Sequence, residues 1–191
     1  MHLSGWLVLL GASLVVLGVL WLVIPMVFGL PWIPTRRPRI RRALELAGLR
    51  AGEVLFDLGA GDGRVLTLAA HDFGARAVGV EISPLHCAVA WMRARLGGVG
   101  DRVQIRLGDY HKADLRPADV VFAYLTGREA PRLGPILQAQ LRPGARVVTV
   151  AFDFAGWRPV AFDRQDLIFL YVMPPTPGDV ASLLGGPPAV S

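Results

Sequence analysis

Asp57-Leu58-Gly59-Ala60-Gly61-Asp62-Gly63-Arg64 stands between an apolar run, residues 53–58, and a helical pattern, residues 64–71. A strand that runs through such a turn into a helix lets the backbone approach a ligand closely, because glycine permits the sharp bend. Nicotinamide enzymes use a similar turn, so three details matter. The spacing is G-x-G-x-G, not the G-x-G-x-x-G that seats a pyrophosphate. Asp57, directly before the turn, suits an ammonium group. Asp62, within it, would repel phosphate. The expected ligand is S-adenosylmethionine, with Asp57, Gly59, Ala60, Gly61 and Gly63 around its methionine end.

Two more stations follow at strand ends. A second strand, residues 75–82, carries Glu81 about 20 residues on, where a carboxylate accepts ribose hydroxyls. A third, residues 103–107, leads to Gly108-Asp109-Tyr110, and an Asp there meets an adenine amino group. Taken singly, Glu81 could be a helix-start carboxylate and Asp109 a turn residue. Their order after the glycine loop is what argues for an adenosyl cofactor.

The same alternation fills the rest of the block. A helix over 84–96 opens with Ser83 as N-cap and Pro84 at its first position. Strands are expected at 119–124 and 146–152, with a helix over 130–141 between them. Strands separated by helices imply a parallel, doubly wound sheet. Residues 160–162 and 167–172, parted by Asp163-Arg164-Gln165-Asp166, read as an antiparallel hairpin closing it. The 191 residues then divide into an anchor (1–30), a juxtamembrane basic segment with a short helix at 39–49 (31–52), the α/β domain (53–173) and a Pro/Gly-rich tail (174–191) expected to be mostly disordered.

The anchor assignment comes from residues 5–30, which hold no charge and are mostly Leu, Val, Ile, Trp and Gly. About 20 apolar residues cross a bilayer core. A cleaved signal peptide fits less well, since Met1-His2-Leu3-Ser4 has no Lys or Arg and Leu30-Pro31-Trp32-Ile33 is a poor cleavage site. Arg36, Arg37, Arg39, Arg41 and Arg42 follow the span. The positive-inside bias therefore puts the N-terminus outside and the large C-terminal part in the cytoplasm. This cluster reads as a topogenic signal, compatible with anionic headgroup contact. Lacking interleaved aromatics, it does not read as a nucleic-acid patch. The net charge of +5, from nineteen Arg and the single Lys112, names no partner. With Cys87 alone there is no intrachain disulfide or multi-Cys zinc site, and no His pair has metal-ligand spacing.

Four segments point further. Pro31-Trp32-Ile33-Pro34-Thr35 follows a Pro-aromatic-Val-Pro-Thr pattern, and residues 57–64 follow D-L-G-S-G-D-G-R with Ala60 in place of Ser. Gly79-Val80-Glu81-Ile82-Ser83-Pro84 follows G-x-E-x-x-P. Gly144-Ala145-Arg146-Val147-Val148 through Phe152-Asp153-Phe154-Ala155-Gly156-Trp157 follows G-x-R-V-V…F-x-F/Y-x-x-W. Over about residues 31–172 the chain resembles the small class I protein-lysine methyltransferases of archaea and their membrane-anchored bacterial and mitochondrial relatives.

The resemblance implies a Rossmann-like class I methyltransferase fold, S-adenosylmethionine as cofactor and N-methylation of lysine in a protein substrate. It implies that Thr35 faces the methionine end, Glu81 the ribose and Asp109 the adenine; Tyr110, next to Asp109, is a further cofactor-binding candidate. Tyr124 and Trp157 would border the methyl-transfer opening, with no dedicated catalytic base. Trp157 reads equally well as a core aromatic, and Asp153 as a turn residue. The chain departs from the pattern at Gly127-Arg128-Glu129, which bears on the substrate rim. Base-modifying enzymes carry an Asn/Asp-Pro-Pro-Tyr/Phe quartet after the fourth strand; Ala123-Tyr124-Leu125-Thr126 is not one, so no nucleic-acid substrate is expected. Two rival functions stay open: methylation of a lipid or other membrane-soluble small molecule, and a non-catalytic cofactor-binding membrane scaffold.

Overall fold

The computed structural model describes residues 3–27 and 36–183, in two compact units, Met1–Pro34 and Thr35–Ser191. The first contains one helix, α1 (Leu3–Val27). Among the residues whose side chains are described, no helix is long and apolar enough to cross a membrane; in α1 those side chains end at residue 19. Residues 31–35, with Thr35, and residues 184–191 lie outside the described residues.

The second unit runs α2 (Arg37–Leu46), β1 (Val54–Leu58), α3 (Arg64–Asp72), β2 (Arg76–Glu81), α4 (Pro84–Leu96), β3 (Val103–Leu107), β4 (Val120–Ala123), α5 (Ala130–Gln140) and β5 (Arg146–Val150). Four short strands follow: β6 (Trp157–Arg158), β7 (Ala161–Asp163), β8 (Ile168–Val172) and β9 (Thr176–Pro177). The main sheet has the order β3-β2-β1-β4-β5-β8-β7. Strands β1 to β5 are parallel, while β8 runs antiparallel to β5 and β7 antiparallel to β8. The expected parallel sheet and closing hairpin are both present.

Successive strand residues face opposite sides, and a parallel sheet needs both covered. Leu55 and Phe56 divide in this way. Leu55 joins Ile40, Leu44, Leu66 and Ile168 in one cluster, and Phe56 joins Leu133, Leu137 and Tyr171 in the other. The central strands can be continuously apolar for this reason; all four residues of β4 are buried.

Strand order reverses at β1, whose neighbours are β2 and β4. A crevice opens outside the carboxyl ends at such a switch point, and the glycine loop lies at its edge.

Two features differ from the sequence reading. Residues 176–177, placed in an irregular tail, form β9 and pair with Trp157–Arg158 of β6, and a 3-10 turn follows at Val180–Leu183. Three of the arginines expected to lie beside a membrane are also tied into their own domain. Arg39 donates to the Asp166 carbonyl, Arg41 pairs with Asp72, and Arg42 lies 3.0 Å from Asp163. They brace α2 against α3 and the β7–β8 turn, which leaves them less available to headgroups.

Candidate cofactor site

The loop after β1 is shaped by close approach. Gly63 is the N-cap of α3 at φ 73, and Gly59 and Gly61 share the left-handed region. A Cβ on Gly63 would lie 2.7 Å from the Ala90 Cβ of α4, so only glycine fits there. Ala60 is buried, and its own Cβ would meet a Cβ on Gly79 at 2.7 Å.

The loop's N–H groups turn inward. Gly59 and Ala60 donate to the Val80 carbonyl at 2.9 and 3.1 Å, Gly63 to the Ala60 carbonyl, and Gly61 to Glu81 Oε2 at 2.8 Å. Donors spent in this way do not form an anion-binding nest. The loop therefore suits a ligand without phosphate, in line with its spacing. Asp62 plays a different part from the one its sequence position suggests. It accepts from Arg64 Nη2 and Arg93 Nη2, each at 2.7 Å, and its carbonyl accepts from Arg93 Nε. Two guanidiniums neutralise it, so phosphate repulsion is not its role; it binds the loop to α4. Burial works against the charged form of Asp62, but the Arg64 hydrogen bond and the charges of Arg64 and Arg93 outweigh it and hold the pKa below the usual carboxylate range.

Asp57 is the opposite case. It is buried, its Oδ2 has no hydrogen-bond partner, and its pKa is pushed up to about 8. Burial is the main cause, with smaller contributions from the Glu81 and Asp62 charges. An orphaned buried carboxylate calls for an explanation. A cationic ligand beside it would restore its charge and its partner. The ammonium and sulfonium of S-adenosylmethionine are such cations, so the residues present fit that cofactor.

Glu81, at the end of β2, accepts from Gly61 N through Oε2 and from Ser83 N through Oε1. Each oxygen keeps a further lone pair, so a pair of ribose hydroxyls can still be received. The next residue, Ile82, is 70% exposed, and Leu107 at the end of β3 is also exposed. The two strand ends are joined by Gly108 N donating to the Glu81 carbonyl at 2.9 Å. Ile82, exposed directly after Glu81, is an apolar side chain available to an adenine ring. The sequence reading passed over Ile82; the signal was an apolar residue between the acid and the Ser83-Pro84 cap.

Asp109 caps the short turn Tyr110–Lys112, accepting from His111 N and facing His111 Nδ1, both at 2.9 Å. The backbone hydrogen bond from His111 lowers its pKa against a smaller desolvation effect. Tyr110 follows Asp109 in the same turn. Its ring is buried and its hydroxyl donates to Glu129 Oε2 at 3.0 Å, tying the loop after β3 to the start of α5. Burial, then the Glu129 charge, drives the phenol pKa upward. His111 Nε2 lies 3.1 Å from the same Glu129 oxygen, close enough for an ion pair but not aligned for a hydrogen bond.

Tyr124, the candidate for the methyl-transfer opening, leaves the end of β4 half-buried, with the Arg39 guanidinium 5.5 Å over its ring. Leu125 reaches the glycine loop: its Cδ2 lies 3.5 Å from where a Gly59 Cβ would stand. Trp157 has the surroundings of a core aromatic. It is buried, with its ring centroid 4.4 Å from Phe154 and 5.6 Å from Tyr171, and it abuts Gly134 of α5. Its membership of the core cluster, anchored by β6, gives it the packing role. Phe152 and Phe154 belong to the same cluster. Among the described residues no His, Cys, Asp and Glu group could hold a metal ion.

Comparison with known proteins agrees with this geometry. The profile of the ANTKMT methyltransferase domain matches residues 57–161. A protein-lysine N-methyltransferase of Saccharolobus islandicus (strain REY15A) is 37% identical over 150 residues, covering 75% of this chain and 93% of that protein. The adenine nucleotide translocase lysine N-methyltransferase of Mus musculus is 34% identical over 151 residues, covering 78% of this chain and 65% of its own length. Among solved structures, an RNA methyltransferase from Salinibacter ruber in complex with S-adenosyl-L-homocysteine superposes with a TM-score of 0.74 at 41% identity. That match covers 77% of this chain and 98% of the other.

Proposed function

The chain belongs to the ANTKMT methyltransferase-domain family, and from that premise we propose that it is a membrane-anchored enzyme methylating lysine side chains of a protein. It is an S-adenosylmethionine-dependent methyltransferase of the protein-lysine group. The observation that carries the acceptor class is the 37% identity to a protein-lysine N-methyltransferase of which this chain spans 93%.

The cofactor supplies an activated methyl group on sulfur. The chain's residues hold and align. Asp57 takes the cationic end, Glu81 the ribose, and Asp109 with Ile82 the adenine side. Thr35 is assigned to the same cradle by the family pattern, and Tyr110 as the neighbour of Asp109. A lysine must arrive neutral, and apolar surroundings favour that form. Tyr124 and Leu125 provide apolar walls, and the Arg39 guanidinium fixes a positive charge next to Tyr124 that also disfavours a protonated amine.

The anchor is α1. Its 25 residues carry no charge, and at 1.5 Å per residue they extend about 37 Å, against a hydrocarbon core of about 30 Å. The arginines from Arg36 onward support a cytoplasmic methyltransferase unit through the positive-inside bias. A C-terminal reporter fusion tests this: activity only outside the cytoplasm overturns the orientation.

A second reading is favoured by one observation, the RNA methyltransferase named in the Salinibacter match. Against it stands the Ala123-Tyr124-Leu125-Thr126 sequence, which lacks a base-modifying quartet. Incubation of the full chain with labelled cofactor and a cell extract separates the possibilities. Label on lysine residues supports the proposal, whereas label only in RNA or only in lipid overturns it. Calorimetry tests the cradle independently. Asp57→Ala is expected to weaken cofactor binding at least tenfold, and unchanged binding removes Asp57 from the site.

A further inference from the structure

Helix α4 is packed inside out. Against the loop and sheet it buries Ala90 and Ala94, while Leu85, Trp91, Met92 and Leu96 are 51, 56, 51 and 83% exposed. Positions 85, 88, 92 and 96 recur along one helical stripe, with Trp91 and Arg95 beside it. A helix on a watery surface turns its large apolar residues the other way. The small inner residues have a cause in the site, since Gly63 demands close approach at Ala90. That does not account for a tryptophan, a methionine and two leucines outside. An apolar patch of this kind on a single unit marks a contact surface.

We infer that this face of α4 docks on the surface of the lipid bilayer. Its chemistry is that of an interfacial helix. Apolar side chains and a tryptophan form the stripe, a basic residue stands at its edge, and α4 contains no carboxylate. Tryptophan suits a boundary that is apolar on one side and wet on the other. Arg95 lies 5.2 Å over the Trp91 ring, exposed and placed for an anionic headgroup, while Arg93 is turned inward onto Asp62.

Reach supports the same partner, and here the inference rests on the proposed anchor. Between the end of α1 at Val27 and the start of α2 at Arg37 lie residues 28–36, nine in all. They bridge at most about 30 Å. Within the methyltransferase unit α2 packs on α3 and α3 on α4, so α4 is two helix spacings of about 8–10 Å from α2. A unit held on so short a tether meets the bilayer at high effective concentration.

The experiment uses the full chain reconstituted into phosphatidylcholine–phosphatidylglycerol vesicles. In a Cys87→Ser background a nitroxide is placed at Leu96→Cys or, for reference, at the exposed Arg116→Cys. Cofactor calorimetry shows that each labelled protein is folded. The nitroxide at position 96 is expected to collide several-fold more with oxygen than with a water-soluble nickel chelate, and that at 116 to show the reverse. If the protein floats with vesicles but position 96 behaves like 116, the docking inference falls and the anchor stands. If the protein does not float, both fall. Spin–spin broadening at 96 that grows with protein-to-lipid ratio would assign the face to a second copy and overturn the inference.

Discussion

Helices α3 and α4 are neighbours on one face of the sheet and are built on opposite plans. In α3, Val65, Leu66, Leu68 and Ala69 are buried, and the helix ends in solvent at His71 and Asp72. In α4, alanines are buried and Leu85, Trp91, Met92 and Leu96 are exposed. Ordinary apolar burial places α3. What places α4 is the loop, through the Gly63–Ala90 contact and the Arg93–Asp62 pair. One helix is held by oil and the other by fit and charge. The sharpest way to break that arrangement is Gly63→Val, which combines a forbidden backbone region with overlap at Ala90 and severs the joint of both helices. Its expected cost is on the order of 4 kcal/mol, read by thermal unfolding together with loss of cofactor binding. A folded variant with native binding would show that the two helices are not coupled there.

The α3 side is tested by Leu66→Ala. Leu66 is fully buried, and its Cδ1 would lie 2.5 Å from a Cβ on Gly79. Truncation leaves a cavity between α3 and β2, with an expected loss of about 2–5 kcal/mol measured by denaturant unfolding. A loss under about 1 kcal/mol would mean that the helix is not held chiefly by burial.

Asp57, buried at the end of β1, gives the loop a pH signature. Its folded pKa, about 8, lies above the ordinary value of 3.8. The folded state without ligand therefore binds the proton more tightly than the unfolded one. The stability this adds is fully present below pH 3.8 and is lost as pH rises to about 8. The slope is expected to reach at most about 1.4 kcal/mol per pH unit. Asp57→Asn should flatten it, raise stability near pH 8 and weaken cofactor binding. Melting curves across pH 4–9, with and without S-adenosylhomocysteine, give the comparison; an unchanged slope in Asp57→Asn removes Asp57 as its source.

Much of this was legible in the sequence, for local reasons. Strand and helix alternation follows from hydrophobic pattern and caps, and Ser83 accepts the expected hydrogen bond from His86 N. Asp57 and Glu81 stand where the glycine spacing puts them. What the sequence left open concerns long-range partners. Asp62 has one partner, Arg64, two residues away, but its tie to α4 through Arg93 spans 31 residues and does not show in the local pattern. Trp157 read equally well as a channel border or a core aromatic because β9, which pairs with its strand, sits in a Pro/Gly-rich segment. The orientation of α4 was hidden because alanine and leucine are both apolar in a pattern, and only the Gly63 contact decides which of them faces in.

The smallest expected effect is therefore on the outer face of α4. Leu96 is 83% exposed, so Leu96→Gln removes little burial, and stability in detergent should stay within about 0.5 kcal/mol of the parent. Trp91→Gln also loses the ring under Arg95, a contact of about 0.5–1 kcal/mol at an exposed site. For a chain of this size that is a shift of about 2–4 °C in melting temperature at most. The contrast with Leu66→Ala is the point of the measurement. If the α4 variants cost as much as the α3 one, something in the isolated protein already covers that face, and α4 is held by burial after all. If they cost almost nothing in detergent yet lower methylation of a membrane-embedded acceptor, with a free lysine peptide still methylated at the parent rate, then the exposed stripe acts in placing the enzyme and not in folding it.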